Sequence, residues 1–437
     1  MTTTQKKRPS FLRMVAISFL LLGSISSAFL FLTYRTGMYE GTEMPEQAIV
    51  IKNGMIFDGI NDTAYQGLIV VEGELISCVG PDCPTPDNAR VIDAEGGTVL
   101  PAYIDMCTQF YAPSGDEAKL GTLKKLFSFV QQRPEVRKNF HRSGISAIRS
   151  TGDALDNILA LRLQIAEADL SGPKIYASGL MFTAPGGYPA AAHYAGNEFL
   201  IENGTRQIDR AEEATRIAQA LLADKRPPNG LKAVYEDFDG AYPKLSEEGL
   251  AALGKVASEK ATWLAVHTES NAHLREALAA GATIIEYGSH EAMDSLTIAS
   301  LASSNALFLP MLGRAKGNPD RLSILQENVS KVYQAGGQLG VGSDAQDQLS
   351  FGNSLHEEMS LLVEAGVPAL EVIKAATQVA SRYLKADDIM GGLQVGKLAN
   401  VLVIKGKPYE QIQDSYKLQW MLQEGKWIIE NQELIDP

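Results

Sequence analysis

Five residues in this chain have side chains suited to binding a metal or moving a proton, and each stands at the edge of a short apolar run. The run Val99–Cys107 ends in a thiol and is followed by Thr108-Gln109. Lys232 opens another run, Val266-His267-Thr268 closes a third, and Ile285-Glu286-Tyr287-Gly288 closes a fourth with His290 just beyond. Gly342-Ser343-Asp344 closes the last. Imidazole, thiolate and carboxylate are good zinc ligands, whereas an amide oxygen and a phenol are poor ones. Cys107, His267 and Asp344 supply three ligands, with His290 or His193 as a displaced fourth. Three ligands and an open position are the minimum for a catalytic site. Each residue also has a plainer reading. Cys107 is then a small buried hydrophobe, and His267 and Asp344 are a hydrogen-bonded pair. Lys232, buried without a metal, needs a carboxylate against its desolvation, and Glu236 and Asp344 are the candidates. His290, His193 and His356 read as surface or helix-capping residues, His141 and His273 lie in helical text, and Glu236, Asp237 and Asp239 read as a solvated turn.

Such residues need elements to hold them. Eight short apolar or β-branched runs recur: Val99–Cys107, Ile145–Ser150, Lys174–Gly179, Leu231–Glu236, Trp263–Thr268, Thr283–Gly288, Leu307–Leu312 and Leu339–Asp344. Helical stretches follow them, with amphipathic spacing over Glu247–Lys260 and His273–Ala280. Eight strand–helix units predict an α/β chain closed as a (β/α)8 TIM barrel, whose chemistry sits at the carboxyl ends of its strands. The two flanks differ. Ala48–Lys52, an Asn53-Gly54 turn and Met55–Phe57 read as a hairpin, as do Leu68–Val71 and Leu75–Val79 around Glu72-Gly73. Val401–Ile404, Leu418–Leu422 and Trp427–Ile429 repeat the pattern at the far end.

Over roughly residues 48–432 the chain resembles the amidohydrolase superfamily, nearest its imidazolonepropionase-like and prolidase-like branch. The resemblance rests on Lys52-Asn53-Gly54-Met55-Ile56-Phe57-Asp58-Gly59 and on Val91-Ile92-Asp93-Ala94-Glu95-Gly96-Gly97-Thr98-Val99-Leu100-Pro101. Ala375-Ala376-Thr377 and Gly391-Gly392-Leu393-Gln394-Val395-Gly396-Lys397 add to it. It implies a composite β-sandwich from 48–100 and 390–432 beside a barrel over 101–387. It also implies hydrolysis of non-peptide C–N bonds, in cyclic amides or small dipeptide-like substrates, by metal-activated water, with Asp344 taking the proton. In that family strand one gives His-x-His, strand four a lysine carbamylated in two-metal members, strands five and six one His each, and strand eight an Asp. Lys232, His267 and Asp344 match. Cys107, Gln109 and Tyr287 replace imidazoles, and Tyr188 stands where relatives often have His. The expectation is therefore a degenerate site: no binuclear centre, Lys232 uncarbamylated, and either one divalent ion, zinc, near Cys107, His267 and Asp344, or none. The alternatives are a membrane-tethered non-catalytic homologue binding a small ligand or a partner protein, and metal-free acid–base chemistry by His267 and Asp344.

Charge and the amino terminus bound the rest. The 437 residues carry 39 basic against 52 acidic side chains, and 1–36 holds five basic residues and no acid. So acidic a body repels phosphate backbones, which excludes nucleic acid as a partner. Met14–Tyr34 is uncharged over 21 residues, about 30 Å as a helix and enough to span a bilayer. Lys6-Lys7-Arg8 on its amino side places 1–13 in the cytoplasm and the body outside it, periplasmic in a bacterium. Cleavage after Ser26-Ser27-Ala28 and secretion is the rival reading. Three cysteines are too few for a disulfide scaffold. Cys78 and Cys83 either pair across a short loop or are unrelated thiols. Nothing in the sequence sets an oligomeric state.

Overall fold

The computed structural model describes residues 39–110, 134–345 and 351–435. The Met14–Tyr34 run lies outside these, and among the described residues no helix is long and apolar enough to cross a membrane.

The fold is α/β, with parallel and antiparallel sheets. Strands β1 (Ile49–Ile56), β2 (Tyr65–Glu72), β3 (Leu75–Gly80), β4 (Arg90–Asp93) and β5 (Thr98–Pro101) come from the amino flank. Ten strands of the middle are β6 (Tyr103–Thr108), β7 (Ile145–Ser150), β8 (Lys174–Ala177), β9 (Met181–Thr183), β10 (Thr205–Gln207), β11 (Leu231–Val234), β12 (Leu264–Thr268), β13 (Ile284–Tyr287), β14 (Leu307–Leu309) and β15 (Gln338–Leu339). The carboxyl flank adds β16 (Val401–Ile404), β17 (Leu418–Gln423), β18 (Lys426–Glu430) and β19 (Glu433–Leu434).

Both flanks enter one nine-stranded sheet, ordered β19-β18-β17-β16-β5-β1-β2-β3, with β4 also on β1. The seam between them is antiparallel, with Leu100 opposite Leu402 and Val99 opposite Val403. Ile49, Ile51, Ile69, Val71, Val99 and Val401 pack into its core. Alternate β-branched residues put this apolar face on one side of the pleat. The turn expected at Glu72-Gly73 lies one residue on, at Gly73-Glu74, with Glu72 paired to Leu75 in the strands, and Glu424-Gly425 turns between β17 and β18 with both residues at positive φ. Asn53-Gly54 does not. It is a bulge inside one continuous β1, between Ile51 and Gly54, with Asn53 at φ 58°. A Cβ on Gly54 would stand 2.6 Å from Val99 Cγ2, so the glycine serves close packing rather than reversal.

The middle strands form two parallel sheets, β6-β7-β8 and β10-β9-β11-β12-β13-β14-β15. The expected first run is cut at Pro101: its start belongs to the antiparallel sheet and its end to β6. The expected last run is strand only at Gln338–Leu339. Residues 340–344 nevertheless lie against β6. Met106 N–H donates to Val341 O at 3.0 Å, and Asp344 N–H donates to Cys107 O at 2.7 Å. A Cβ on Gly342 would stand 2.7 Å from Cys107 Cβ, which is why this contact needs glycine. At the other edge β8 runs on into β9, and Ser178 N–H donates to Ser150 O at 3.0 Å. Helices cover these sheets with apolar faces such as Leu250, Leu253, Val256 and Ala257 of Glu247–Glu259, whose Ser246 cap accepts from Gly249 N–H.

Candidate functional site at the carboxyl ends of the parallel strands

Parallel strands in register bring their ends together, and β11, β12 and β13 pair so that Val234 faces His267 and His267 faces Glu286. Three groups of side chains fill the space that results.

The deepest is a buried ion triad. Lys232 Nζ lies 2.7 Å from Glu286 Oε2, and Arg149 Nη2 lies 2.6 Å from Glu286 Oε1. Arg149 also donates from Nε to Met106 O (2.7 Å) and from Nη1 to Ser178 Oγ (3.1 Å). Burial alone would raise the Glu286 carboxyl, but the two cations outweigh it and hold it at about 2. The lysine's carboxylate is thus Glu286, not Glu236 or Asp344. Sequence proximity favours Glu236, but Glu286 lies on the same layer two strands away.

The second group surrounds Asp344. Tyr287 Oη donates to Asp344 Oδ2 at 2.6 Å, and Arg314 Nε lies 3.2 Å from the same oxygen. Burial raises the Asp344 carboxyl, opposed by Arg314 and Tyr287. Tyr287 and Asp344 both adopt left-handed backbone, φ 69° and 44°. Such strain in non-glycine residues collects where side chains must be aimed. Cys107 is buried beside them, its Sγ 3.6 Å from Thr151 Oγ1. Burial, then the charges of Glu286 and Asp344, push its thiol up, so it sits as a neutral thiol. Asp105, which the sequence reading passed over, accepts from Ser343 N–H (3.0 Å), Ser343 Oγ (2.5 Å) and Cys107 N–H (3.1 Å). It pins the Asp344 segment to β6. No local spacing marks it, because its partner Ser343 is brought to it only by the fold.

The third group is centred on His267. Its Nε2 lies 3.1 Å from Glu269 Oε1, and its ring stacks on Tyr287 at 4.2 Å. Tyr188 and Phe238 each stand 5.9 Å away, making an aromatic wall. The expected His267–Asp344 pair is therefore replaced by His267–Glu269 and Tyr287–Asp344. Burial would raise Glu269, but His267 and then Arg321, 3.1 Å away, hold it below the usual range. With an anionic Glu269 as acceptor, Nε2 is the ring nitrogen that donates in this contact.

The other expected residues scatter. Gln109 is buried, and its Oε1 has no hydrogen-bond partner among the described residues. His290 is 40% exposed, its Nδ1 3.9 Å from Glu269 Oε2. His193 packs on Tyr194 at 5.3 Å; burial and the nearby Arg314 lower it. His356 is no surface residue: buried, it contacts Ser415 Oγ and Ser143 O, both at 2.9 Å. His141 is equally buried, between Tyr39 Oη and Gln423 Oε1.

Among the described residues, two places hold metal-ligating side chains. At the strand ends Cys107, His267 and Asp344 are each engaged elsewhere. Three cations (Lys232, Arg149, Arg314) also face two carboxylates there (Glu286, Asp344). With Cys107, His267 and Asp344 held in separate contacts, and Glu286 and Asp344 already compensated by these cations, the set does not fit a divalent ion. Among the described residues, Glu236, Asp237 and His273 are the group whose ligand atoms lie within 4.8 Å of one another. Of the expected solvated turn, Asp239 is exposed and Asp237 half-buried, but Glu236 is buried, and His273, expected as a plain helical residue, faces it. Glu236 is buried and accepts from His273 Nδ1 (2.9 Å), Glu269 N–H (2.6 Å) and Asp237 N–H (3.1 Å). The donor types suit zinc, but the Glu236 carboxylate is already spent on these bonds.

Comparison with known proteins gives a consistent picture. The model for "Amidohydrolase family" matches residues 99–423. Among curated proteins, Protein unc-33 of Caenorhabditis elegans is 29% identical over 109 residues, 25% of this chain and 12% of its own. Dihydroorotase of Clostridium acetobutylicum is 27% identical over 120 residues, 28% of this chain and 26% of its own. The match thus spans about an eighth and a quarter of the lengths of these two relatives. Among solved structures, a Xaa-Pro dipeptidase with bound methionine in the active site superposes with a TM-score of 0.74 at 23% identity. That superposition covers 87% of this chain and 99% of that one.

Proposed function

Because this chain belongs to the amidohydrolase family, we propose that it hydrolyses a C–N bond in a small molecule, such as a cyclic amide or dipeptide-like compound. The likeness to a dipeptidase and a dihydroorotase supports the substrate class. The observation that carries the mechanism is the His267–Glu269 contact of 3.1 Å beside the aromatic wall. Glu269 holds the ring by Nε2, so that Nδ1 takes a proton from water. The hydroxide adds to the substrate carbonyl carbon, and Arg314, 48% exposed over Asp344, faces the developing oxyanion. The proton on Nδ1 then passes to the leaving nitrogen as the C–N bond breaks. No step runs through a metal at the strand ends, because the residues there do not fit one.

The test is a screen of the full chain against cyclic amides and N-acyl amino acids, with and without a chelator. Turnover that survives chelation and falls roughly a hundredfold or more in His267→Gln supports this reading. Loss on chelation with recovery on zinc overturns it. A second reading, ligand binding without turnover, is favoured by the way Glu286 and Asp344 are both neutralised within the protein. Saturable binding with no turnover would establish it.

The same reading takes 101–387 as a closed (β/α)8 barrel, with 48–100 and 390–432 as one companion β-domain. The bonds from Met106 and Asp344 across to Val341 and Cys107 support closure. Residues 1–36 are proposed as a basic tail and membrane anchor with the body on the non-cytoplasmic side. The Cys78–Cys83 disulfide supports an oxidising compartment.

A further inference from the structure

A second concavity lies at the opposite end of the parallel strands. It is a cavity of about 330 Å³ between helix α1 (Leu155–Ala166), the start of β8 and the β17–β18 hairpin, with Gly41 and Thr42 at its edge. Its lining carries Arg162, Lys174, Arg226 and Lys426 against a single acid, Glu424. Lys174 takes that acid, at 2.8 Å. Arg162 finds only neutral acceptors: Nη1 donates to Asn229 Oδ1 at 2.7 Å and Nη2 to Pro227 O at 2.8 Å. These two bonds fix the guanidinium plane. Arg226 and Lys426 have no ion pair among the described residues. Arg162 is half-buried, and burial together with the charge of Arg226 lowers its proton affinity. Two guanidinium groups drawn together without an acid are an unfavourable arrangement that an anion relieves. Thr42 Oγ1 is also buried at this edge without a hydrogen-bond partner among the described residues. The remaining wall is mixed: Ser171, Asn229 and Gln423 are polar, while Leu159, Leu163 and Ile428 give it an apolar strip, with Leu163 41% exposed.

We propose that this cavity binds an amphipathic anion, its phosphate held by Arg162 and Arg226 and its alkyl chain laid along Leu159, Leu163 and Ile428. Orientation by neutral bonds leaves the guanidinium charge for the ligand, and bidentate geometry selects a phosphate-like group over a lone halide. The chemistry is shared by a free alkyl phosphate and by an anionic phospholipid headgroup.

The experiment titrates the full chain, held in phosphatidylcholine nanodiscs, with octyl phosphate, octyl glucoside and inorganic phosphate by calorimetry. Octyl phosphate is expected to bind, inorganic phosphate more weakly, and octyl glucoside not measurably. Arg226→Gln is exposed and makes no structural bond, and should weaken octyl phosphate roughly tenfold; Arg162→Gln should do the same or more. Leu163→Lys should remove the advantage of octyl over inorganic phosphate. A parallel arm uses nanodiscs with added phosphatidylglycerol. If that lipid competes with octyl phosphate in the wild type and not in Arg226→Gln, the source is the bilayer. If it does not compete, the source is a free ligand. Equal binding of octyl phosphate and octyl glucoside, or undiminished binding in Arg226→Gln, overturns the proposal.

Discussion

Lys232 is the residue on which the site's electrostatics turn. Its ammonium and the Arg149 guanidinium share one carboxylate, Glu286, with all three side chains out of water. Removing the shared carboxylate strands two buried cations, so Glu286→Met should cost about 3–5 kcal/mol in a urea titration. The pair also makes stability depend on pH in a defined direction. Glu286 is held at about 2 in the folded chain, below its unfolded value of about 4.3. Its contribution is therefore complete above the unfolded pKa and is lost as pH falls from about 5 towards 2. Glu286→Gln should flatten that part of the stability–pH profile relative to wild type; an unchanged acid limb would refute the assignment. The sequence singled out Lys232, His267 and Asp344 but mispaired all three. Chain proximity suggested Glu236 for the lysine, whereas strand order places Glu286 opposite it. Which acid shares a layer is settled by β-register across more than fifty residues, a long-range property no local spacing records.

At the level of elements, glycines decide where strands meet. Gly342 lets 340–344 lie against β6, with its Cα where a Cβ would be 2.7 Å from Cys107 Cβ. Gly342→Ala should destabilise by about 1–3 kcal/mol through overpacking. It should also disturb the site, since Asp344 is tied to Cys107 O. The check is a urea midpoint together with ligand affinity; a fully wild-type variant would show the contact is slack. The alternation of apolar runs and helices made the parallel sheets legible in outline. Two boundaries were not. Asn53-Gly54 has the chemistry of a hairpin turn, yet it sits within β1 because Val99 closes over Gly54. Val99–Cys107 reads as one run because β5 and β6 are both fully buried, so no polar residue marks the change of sheet at Pro101 and Ala102.

The molecule as a whole joins its two flanks. If residues 1–36 anchor it, the protein should sediment with membranes, and protease should reach the body only from the non-cytoplasmic side. A soluble chain starting near Phe29 would contradict that. The β5–β16 seam has a further consequence, in time rather than space. Thr98–Pro101 is made about 300 residues before Val401–Ile404, which at cellular elongation rates is a delay of roughly 15–60 s. Throughout it, one edge of the four-residue β5 has no partner, and an unpaired apolar edge invites the wrong one. The growing chain is thus most exposed to aggregation in its earliest-made part. Its last forty residues act as the clasp, and a premature stop before Val401 should send the product to the insoluble fraction even though every residue of the strand-end site has already been made.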